Sequence, residues 1–289
     1  MSDINISYEF FPPKSEVSSR NLLSVAKKLK RFDPAFVSVT YGAGGTTQAR
    51  TFDAVKDIAQ AGLKTAAHLT CVDATQEEID AIVDGYYDAG IRNIVALRGD
   101  SPNGIDKAYT PSPGGYAYGS DLVAGIKSRH ADMDVSVSAY PERHPESGHW
   151  DAEIDNLKRK VDAGADRAIT QYFFKADTFL SFVDKVRAAG VELPIVPGIM
   201  LQPNFEGLCN MSAKCGVAVP SDVRARFDRA AGDKDALKDE TTAFATGLIE
   251  DLKAGGVKDF HLYTLNKSAI ASAVTRAITP AARRSTQAA

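Results

Sequence analysis

The stretch TAAHLTCVDATQEEIDAIVDGYYDAGIRNIVALRGD (65–100) reads as one complete strand–helix–strand unit. Its ends, TAAHLTC (65–71) and NIVALRGD (93–100), are short β-rich runs, and TQEEIDAIVDGYYDAG (75–90) between them is patterned as an amphipathic helix. Thr75 with Glu78 has the spacing of a capping box at the start of that helix. Gly90 closes Asp88-Ala89-Gly90, where the left-handed cap costs glycine no steric clash. A connection of this length carries a crossover, so the two strands are expected to pair in parallel.

The unit recurs in both directions. Further β-rich runs are ISYEFF (6–11), FVSVTY (36–41), DVSVSAY (134–140), RAITQYFF (167–174), PIVPGIM (194–200) and DFHLYTL (259–265). Helical patterns cover SRNLLSVAKKLKRF (19–32), EIDNLKRKVDAGA (153–165) and ADTFLSFVDKVRAAG (176–190), with Gly164 and Gly190 as stop signals. Glu9, Thr40, His68, Asp100, Tyr140, Gln171 and Met200 mark successive strand ends at intervals of 31, 28, 32, 40, 31 and 29 residues. The last interval, to Leu265, is 65 residues and leaves room for additional helices. The expectation is an α/β protein: a (β/α)8 TIM-type barrel with extra helices before the last strand, forming one domain over 1–289. An open doubly wound sheet is the structural alternative. No composition break, linker or low-complexity stretch marks a boundary, and the tail AARRSTQAA (281–289) is expected to fray.

A chain of 289 residues can bury a substantial core without disulfides or metals. Its 34 Lys+Arg and 37 Asp+Glu give a net charge of −3, which offers no general attraction to nucleic acid or an anionic membrane. No apolar stretch approaches the roughly 18 residues of a membrane span, and the N-terminus lacks the pattern of a signal peptide. Cys71, Cys209 and Cys215 form no CxxC and share no ligand spacing with the five histidines, which argues against a disulfide framework or structural zinc. A cytoplasmic protein without a metal is expected.

In a barrel, chemistry gathers at the carboxyl ends of the strands. Glu9 lies within Tyr8-Glu9-Phe10-Phe11, and a carboxyl that loses solvation among aromatics suits general-acid work; a solvent-facing Glu is the competing possibility. His68 ends the third strand, where a satisfied core histidine is the plainer reading. Arg98-Gly99-Asp100 ends the fourth, with glycine permitting close backbone approach and a loop ion pair as the alternative. Tyr140-Pro141-Glu142 and His144-Pro145-Glu146 form a stiffened loop after the fifth. Arg159 and Lys160 could meet phosphate or form a solvated helix face. Gln171 is an amide placed to read a heterocycle edge. Tyr41-Gly42-Ala43-Gly44-Gly45-Thr46-Thr47 resembles a dinucleotide loop but ends in Thr47, and no second Rossmann half follows. P-loop, GxSxG and HExxH motifs are missing, and no strand carries a central lysine for Schiff-base chemistry.

Taken in order, YEFFPP (8–13), SVTYG (38–42), HLTC (68–71), ALRGD (96–100), YPE (140–142), NLKRKVDAGA (156–165), ITQYFF (169–174) and FHLYTLN (260–266) closely resemble the bacterial 5,10-methylenetetrahydrofolate reductase family from about residue 6 to residue 276. The resemblance implies non-covalent FAD, reduced by NADH or NADPH, and ping-pong reduction of methylenetetrahydrofolate to the 5-methyl form that supplies methionine synthesis. By motif, Glu9 is implied as general acid, Asp100 as the carboxylate beside pterin and flavin, and Gln171 as a substrate-orienting amide. Thr40, His68, Arg98, Gly99, Asp100, Tyr118, Gly119, Tyr140, His144, Asn156, Arg159 and Lys160 match FAD-binding positions. Gln202 and Phe205, in Gln202-Pro203-Asn204-Phe205, are implied in substrate binding, Phe205 as a ring stacking on nicotinamide or folate in turn; a core Phe is the alternative.

The sequence also departs from the family pattern. Glu153 stands where the family has Asp at the FAD ribose. Lys267 stands where it has Arg near the folate tail, which loses bidentate geometry. Asn103–Gly115 matches no familiar pattern. The resemblance further implies a homo-oligomer, and a chain that stops without the C-terminal regulatory domain of eukaryotic relatives. Two other readings share the fold: a pterin-binding barrel that passes a methyl group to a partner, and a scaffold without chemistry. Glu9, Asp100 and Gln171 together count against the scaffold.

Overall fold

The computed structural model describes residues 4–41, 45–101 and 109–279. Gly42–Gly44 of the glycine-rich loop, the 102–108 part of the Asn103–Gly115 segment and the 281–289 tail lie outside the described residues. The strands are β1 (Asn5–Phe10), β2 (Phe36–Val39), β3 (Thr65–Thr70), β4 (Asn93–Leu97), β5 (Asp134–Ala139), β6 (Arg167–Thr170), β7 (Ile195–Val196), β8 (Gly198–Met200) and β9 (Asp259–Tyr263). The helices are α1 (Glu16–Lys30), α2 (Gly45–Gln60), α3 (Gln76–Asp88), α4 (Gly119–Arg129), α5 (Trp150–Asp162), α6 (Ala176–Ala188), α7 (Phe205–Cys215), α8 (Ser221–Arg229), α9 (Lys234–Ala254) and α10 (Ser268–Ile278).

All strand pairs are parallel, in the order β7-β6-β5-β4-β3-β2-β1-β9-β8. The two ends of that order, β7 and β8, are halves of the expected seventh strand, interrupted at Pro197. Proline has no N–H to give the ladder, so β7 pairs with β6 and β8 turns to pair with β9. The split strand thereby closes the barrel. Gly198, the first residue past the break, has no room for a side chain: a Cβ would stand 2.3 Å from the Thr170 carbonyl and 2.5 Å from the Tyr263 ring.

The expected extra helices are α7 and α8, ahead of α9 and the last strand. The capping box forms: Glu78 N–H donates to Thr75 Oγ1 at 3.2 Å and Thr75 N–H to Glu78 Oε2 at 2.8 Å. Gly90, Gly164 and Gly190 adopt φ of 81°, 103° and 79°, as left-handed caps require. Two expected strands end early. RAITQYFF leaves the sheet after Thr170 because Tyr172 and Phe174 turn into a second apolar cluster with Phe205, Leu208 and Phe227 beneath α7 and α8. NIVALRGD stops at Leu97, freeing Arg98-Gly99-Asp100 as loop.

The main core lies between strands and helices. Tyr8 and Phe10 face outward into it, and Tyr8 Oη meets Thr275 Oγ1 of α10 at 2.8 Å. Inside the barrel, Phe36, Ala66, Val95, Ile169 and Val196 form a small apolar plug. What lies above that plug, toward the carboxyl ends, is polar.

Candidate active site

Alternation in β1 sends Ser7 and Glu9 inward while Tyr8 and Phe10 face out. Glu9 keeps 16% of its side chain exposed, and two buried histidines converge on its Oε2: His68 Nε2 of β3 at 3.4 Å and His261 Nε2 of β9 at 3.6 Å. Neither nitrogen has a hydrogen bond of good geometry among the described residues. Ser7 donates to the Phe260 carbonyl at 3.2 Å, which leaves its oxygen to accept from His261 Nδ1–H at 2.7 Å. In that tautomer His261 presents the lone pair of Nε2 to the carboxyl of Glu9. Below, His261 stacks on Phe36 with ring centroids 5.6 Å apart; beside it stands Tyr263, whose hydroxyl donates to the Thr170 carbonyl at 2.6 Å across the Gly198 gap.

Burial lowers the pKa of His68 to about 4 from an ordinary 6.5, against an opposing pull from the Glu9 carboxylate. The unfolded chain therefore binds this proton more readily than the folded one. The stability involved is complete above pH 6.5 and is lost as pH falls toward 4, roughly 3 kcal/mol in all. Urea midpoints measured from pH 7 to 4 should fall steeply in the native protein and less steeply in His68→Gln.

A second group of candidates gathers around the loops after β4 and β5. Gly99 has φ 89°, and a Cβ there would stand 2.6 Å from Val72 Cγ1, so only glycine fits the turn. Arg98 pairs through both Nη atoms with Glu146, the second contact at 3.0 Å, and lies 4.4 Å over the Tyr109 ring. Gly119 opens α4 against the end of β4, where a Cβ would be 3.5 Å from Arg98 N. Beside it Tyr118 is 54% exposed. Tyr140 and His144 meet edge to face at 4.7 Å. Burial raises the Tyr140 hydroxyl pKa, and the carboxylates of Glu153 and Asp100 add to the effect. Burial also lowers His144, assisted by the charge of Arg98.

On α5, Glu153, Asn156 and Lys160 follow at spacings of three and four, one helical face. Glu153 is buried, and its Oε2 accepts from His144 N–H at 3.0 Å and Ser147 Oγ–H at 2.6 Å, so it clamps the β5 loop. Lys160 turns inward to donate to the Ser138 carbonyl at 2.7 Å, and burial lowers its pKa to about 8. Arg159 is exposed and donates to Asn156 Oδ1. The pair is thus split: Lys160 lines the barrel mouth, and Arg159 stands at its rim. Thr40 is half-buried, its N–H donating to the Phe10 carbonyl at 2.9 Å. Asp100 is exposed at the tip of the β4 loop, and its charge also raises the half-buried Cys215 of α7, after the larger effect of burial.

The candidates for substrate contact divide. Gln171 is half-buried, and its Oε1 accepts from Tyr172 N–H at 3.0 Å, which leaves its amide nitrogen available. Lys267 Nζ donates to Gln202 Oε1 at 3.3 Å, so these two rim residues do meet. Phe205 is 6% exposed, stacked on Phe227 at 4.3 Å within the second apolar cluster. In this conformation it is a core ring. Phe205→Ala should lower stability by roughly 3–5 kcal/mol, since the cavity it leaves is walled by other aromatics. An unchanged melting temperature would show instead that the ring is free to face a ligand.

His261 and Ser7 meet each other beside Glu9, and Thr264 and Asn266 bond the backbone of Glu9 and Phe11, although the sequence gave these four no role; Glu146, in sequence only part of a stiffened loop, pairs with Arg98. Alternation was the available signal for His261, which shares its strand face with Tyr263 as Ser7 does with Glu9. Strain marks the same end of the barrel: Asp73, Arg143, Leu265 and Asn266, four of the five described non-glycine residues with positive φ, lie in loops after β3, β5 and β9. The described end of the unfamiliar segment, 109–115, docks on α3 through Gln76 N–H to the Gly114 carbonyl at 2.9 Å. Among the described residues no cluster of three or more His, Cys, Asp or Glu could hold a metal, and no helix is long and apolar enough to cross a membrane.

Fold and site together define a (β/α)8 barrel with a carboxyl–histidine centre inside its mouth and a cationic, aromatic rim around it. The chain belongs to the methylenetetrahydrofolate reductase family, which matches residues 1–279. It is 42% identical over 272 residues to the 5,10-methylenetetrahydrofolate reductase of Salmonella typhimurium, covering 94% of this chain and 89% of that protein. The Escherichia coli protein of the same name matches equally, at 42% over 272 residues. Methylenetetrahydrofolate reductase (NADH) 1 of Arabidopsis thaliana is 38% identical, over 91% of this chain and 47% of its own length. A Clostridium thermocellum protein solved with two copies of 5-methyl-5,6,7,8-tetrahydrofolic acid shares the fold at TM-score 0.61 and 13% identity, covering 99% of this chain and 96% of that one.

Proposed function

We propose that this reductase works through non-covalently bound FAD, taking electrons from NADH or NADPH and passing them to methylenetetrahydrofolate by a ping-pong route. The observation that carries this reading is the rim beside Glu9. Inward-facing Lys160, the Arg98 guanidinium, the Asn156 amide and the start of α4 at Gly119 lie around one mouth, with Tyr118 exposed next to them. Cations and free helix N–H groups suit a diphosphate, and open aromatic surface suits a planar ring system. These donors fit FAD. When bound, FAD supplies a group that accepts a hydride from the nicotinamide and returns one to the folate.

The protein's own residues do the rest. Lys160, Arg159 and Arg98 hold the diphosphate, and Glu153 holds the loop that carries His144. Glu9 protonates the folate as its five-membered ring opens and is reprotonated from solvent at the open barrel mouth, with the Nε2 lone pair of His261 facing the protonated carboxyl. Asp100 places negative charge where the cationic folate intermediate develops. Gln171 and the Gln202–Lys267 pair orient the substrate from the opposite rim. The protein acts in the cytoplasm as a homo-oligomer, a state that light scattering would test.

Purified protein should be yellow and should bleach anaerobically with one or both nicotinamides. Initial-rate plots at several nicotinamide concentrations should be parallel. Intersecting lines would end the ping-pong reading, and a colourless protein that binds 5-methyltetrahydrofolate would favour methyl transfer instead.

A further inference from the structure

Leu265 (φ 50°) and Asn266 (φ 59°) adopt left-handed backbone in succession directly after β9. Residues with a Cβ avoid this conformation unless their surroundings enforce it. Here the turn is fastened to the end of β1. Thr264 donates twice to the Glu9 carbonyl, from N–H at 3.3 Å and from Oγ–H at 2.7 Å. Asn266 then takes both backbone groups of Phe11: its Oδ1 accepts from Phe11 N–H at 2.9 Å, and its Nδ2 donates to the Phe11 carbonyl at 3.1 Å. The turn is braced internally by Asn266 N–H to Thr264 Oγ1 at 3.2 Å and Lys267 N–H to the Thr264 carbonyl at 2.8 Å.

Glu9 therefore sits in a stretch whose backbone is gripped at residue 9 and again at residue 11. Its own Oε2 receives no good hydrogen bond from the two histidines it faces, so the backbone grip, which sets the Cα–Cβ direction, is the described restraint on where the carboxyl enters the barrel. A glycine would enter the left-handed region without strain. What asparagine adds is an amide able to hold a backbone donor and acceptor at once.

We propose that Asn266 is a positioning residue for the folate half-reaction, acting through Phe11 to hold the carboxyl of Glu9 in place. The inference rests on Glu9 being the acid. Asn266→Gly removes the amide while relieving the strained φ, which keeps folding separate from chemistry. Flavin reduction by the nicotinamide should stay within about twofold of the native rate. Reoxidation by methylenetetrahydrofolate should slow roughly ten- to a hundredfold, in kcat more than KM, because small misplacement of a reacting group costs that much. Its pH profile should shift, since the carboxyl leaves its fixed surroundings. Asn266→Asp, which keeps an acceptor for Phe11 N–H, should recover part of the rate and serves as the second variant if the glycine form folds poorly.

On a Glu9→Gln background the Asn266→Gly change should add less than about threefold, because it acts through a group already removed. Equal slowing of both half-reactions, an unmoved pH profile, or a full additive effect on that background would overturn the proposal and leave Asn266 as loop packing. If Glu9→Gln alone leaves reoxidation at the native rate, the reading of Glu9 fails and the proposal falls with it, a result distinct from failure of Asn266 alone.

Discussion

Glu9→Gln is expected to fold, bind FAD and accept electrons from the nicotinamide normally, while reoxidation by methylenetetrahydrofolate falls about 10²–10⁴-fold, the usual weight of general acid catalysis. The substitution is nearly isosteric. The backbone hydrogen bonds from Thr264 end on the Glu9 carbonyl and survive it. What disappears is an ionisable proton facing His68 and His261. Hydride transfer from nicotinamide to flavin needs no acid at that position, so only one half-reaction should suffer. Anaerobic stopped-flow measurement of each half separates them. Native-rate reoxidation would remove Glu9 from the mechanism.

The second large effect is expected at the diphosphate. Charged hydrogen bonds contribute about 1.5–3 kcal/mol each, so replacing Arg159 and Lys160 together by Ala should weaken FAD binding roughly 10²–10⁴-fold and give folded, nearly colourless protein. Most of the loss should come from Lys160, which faces the barrel mouth, whereas Arg159 is exposed at the rim. The pH dependence gives an independent check. Burial lowers Lys160 to about 8, and a bound diphosphate favours its protonated form. FAD affinity should be flat below pH 8 and fall above it by up to about tenfold per pH unit. Lys160→Arg keeps its charge and should abolish that fall. Flavin fluorescence titrations from pH 6.5 to 9.5, at roughly half-unit steps, would read both effects. Normal occupancy of the double variant after extensive dilution would reduce the pair to a solvated helix face.

Much of the site was legible because it is local. Glu9 stands out as a carboxyl among aromatics, and Arg98-Gly99-Asp100 as charge around a glycine that only a left-handed turn explains. The surroundings of Phe205 were not legible for an equally local reason. An aromatic in a loop after a strand looks available, yet Phe227 of α8 covers its face. Lys160 and Arg159 are adjacent in sequence but differ in environment, because neighbouring helix positions point about 100° apart. That separation becomes burial against exposure only when α5 docks on β5.

The sequence by itself determined the repeating strand–helix unit, its caps at Thr75, Gly90, Gly164 and Gly190, the parallel barrel, and the family to which the motifs belong. Each of these depends on contacts within a few residues or on a period that the chain carries along its length. Only the tertiary structure decided that strand seven splits at Pro197 to close the ring, and that His261 meets Glu9 from the far end of the chain. The reason is physical. The parallel register of β1 with β9 places Ser7 beside His261 and Glu9 beside Tyr263. That register is set by closing the whole barrel, which no local pattern encodes.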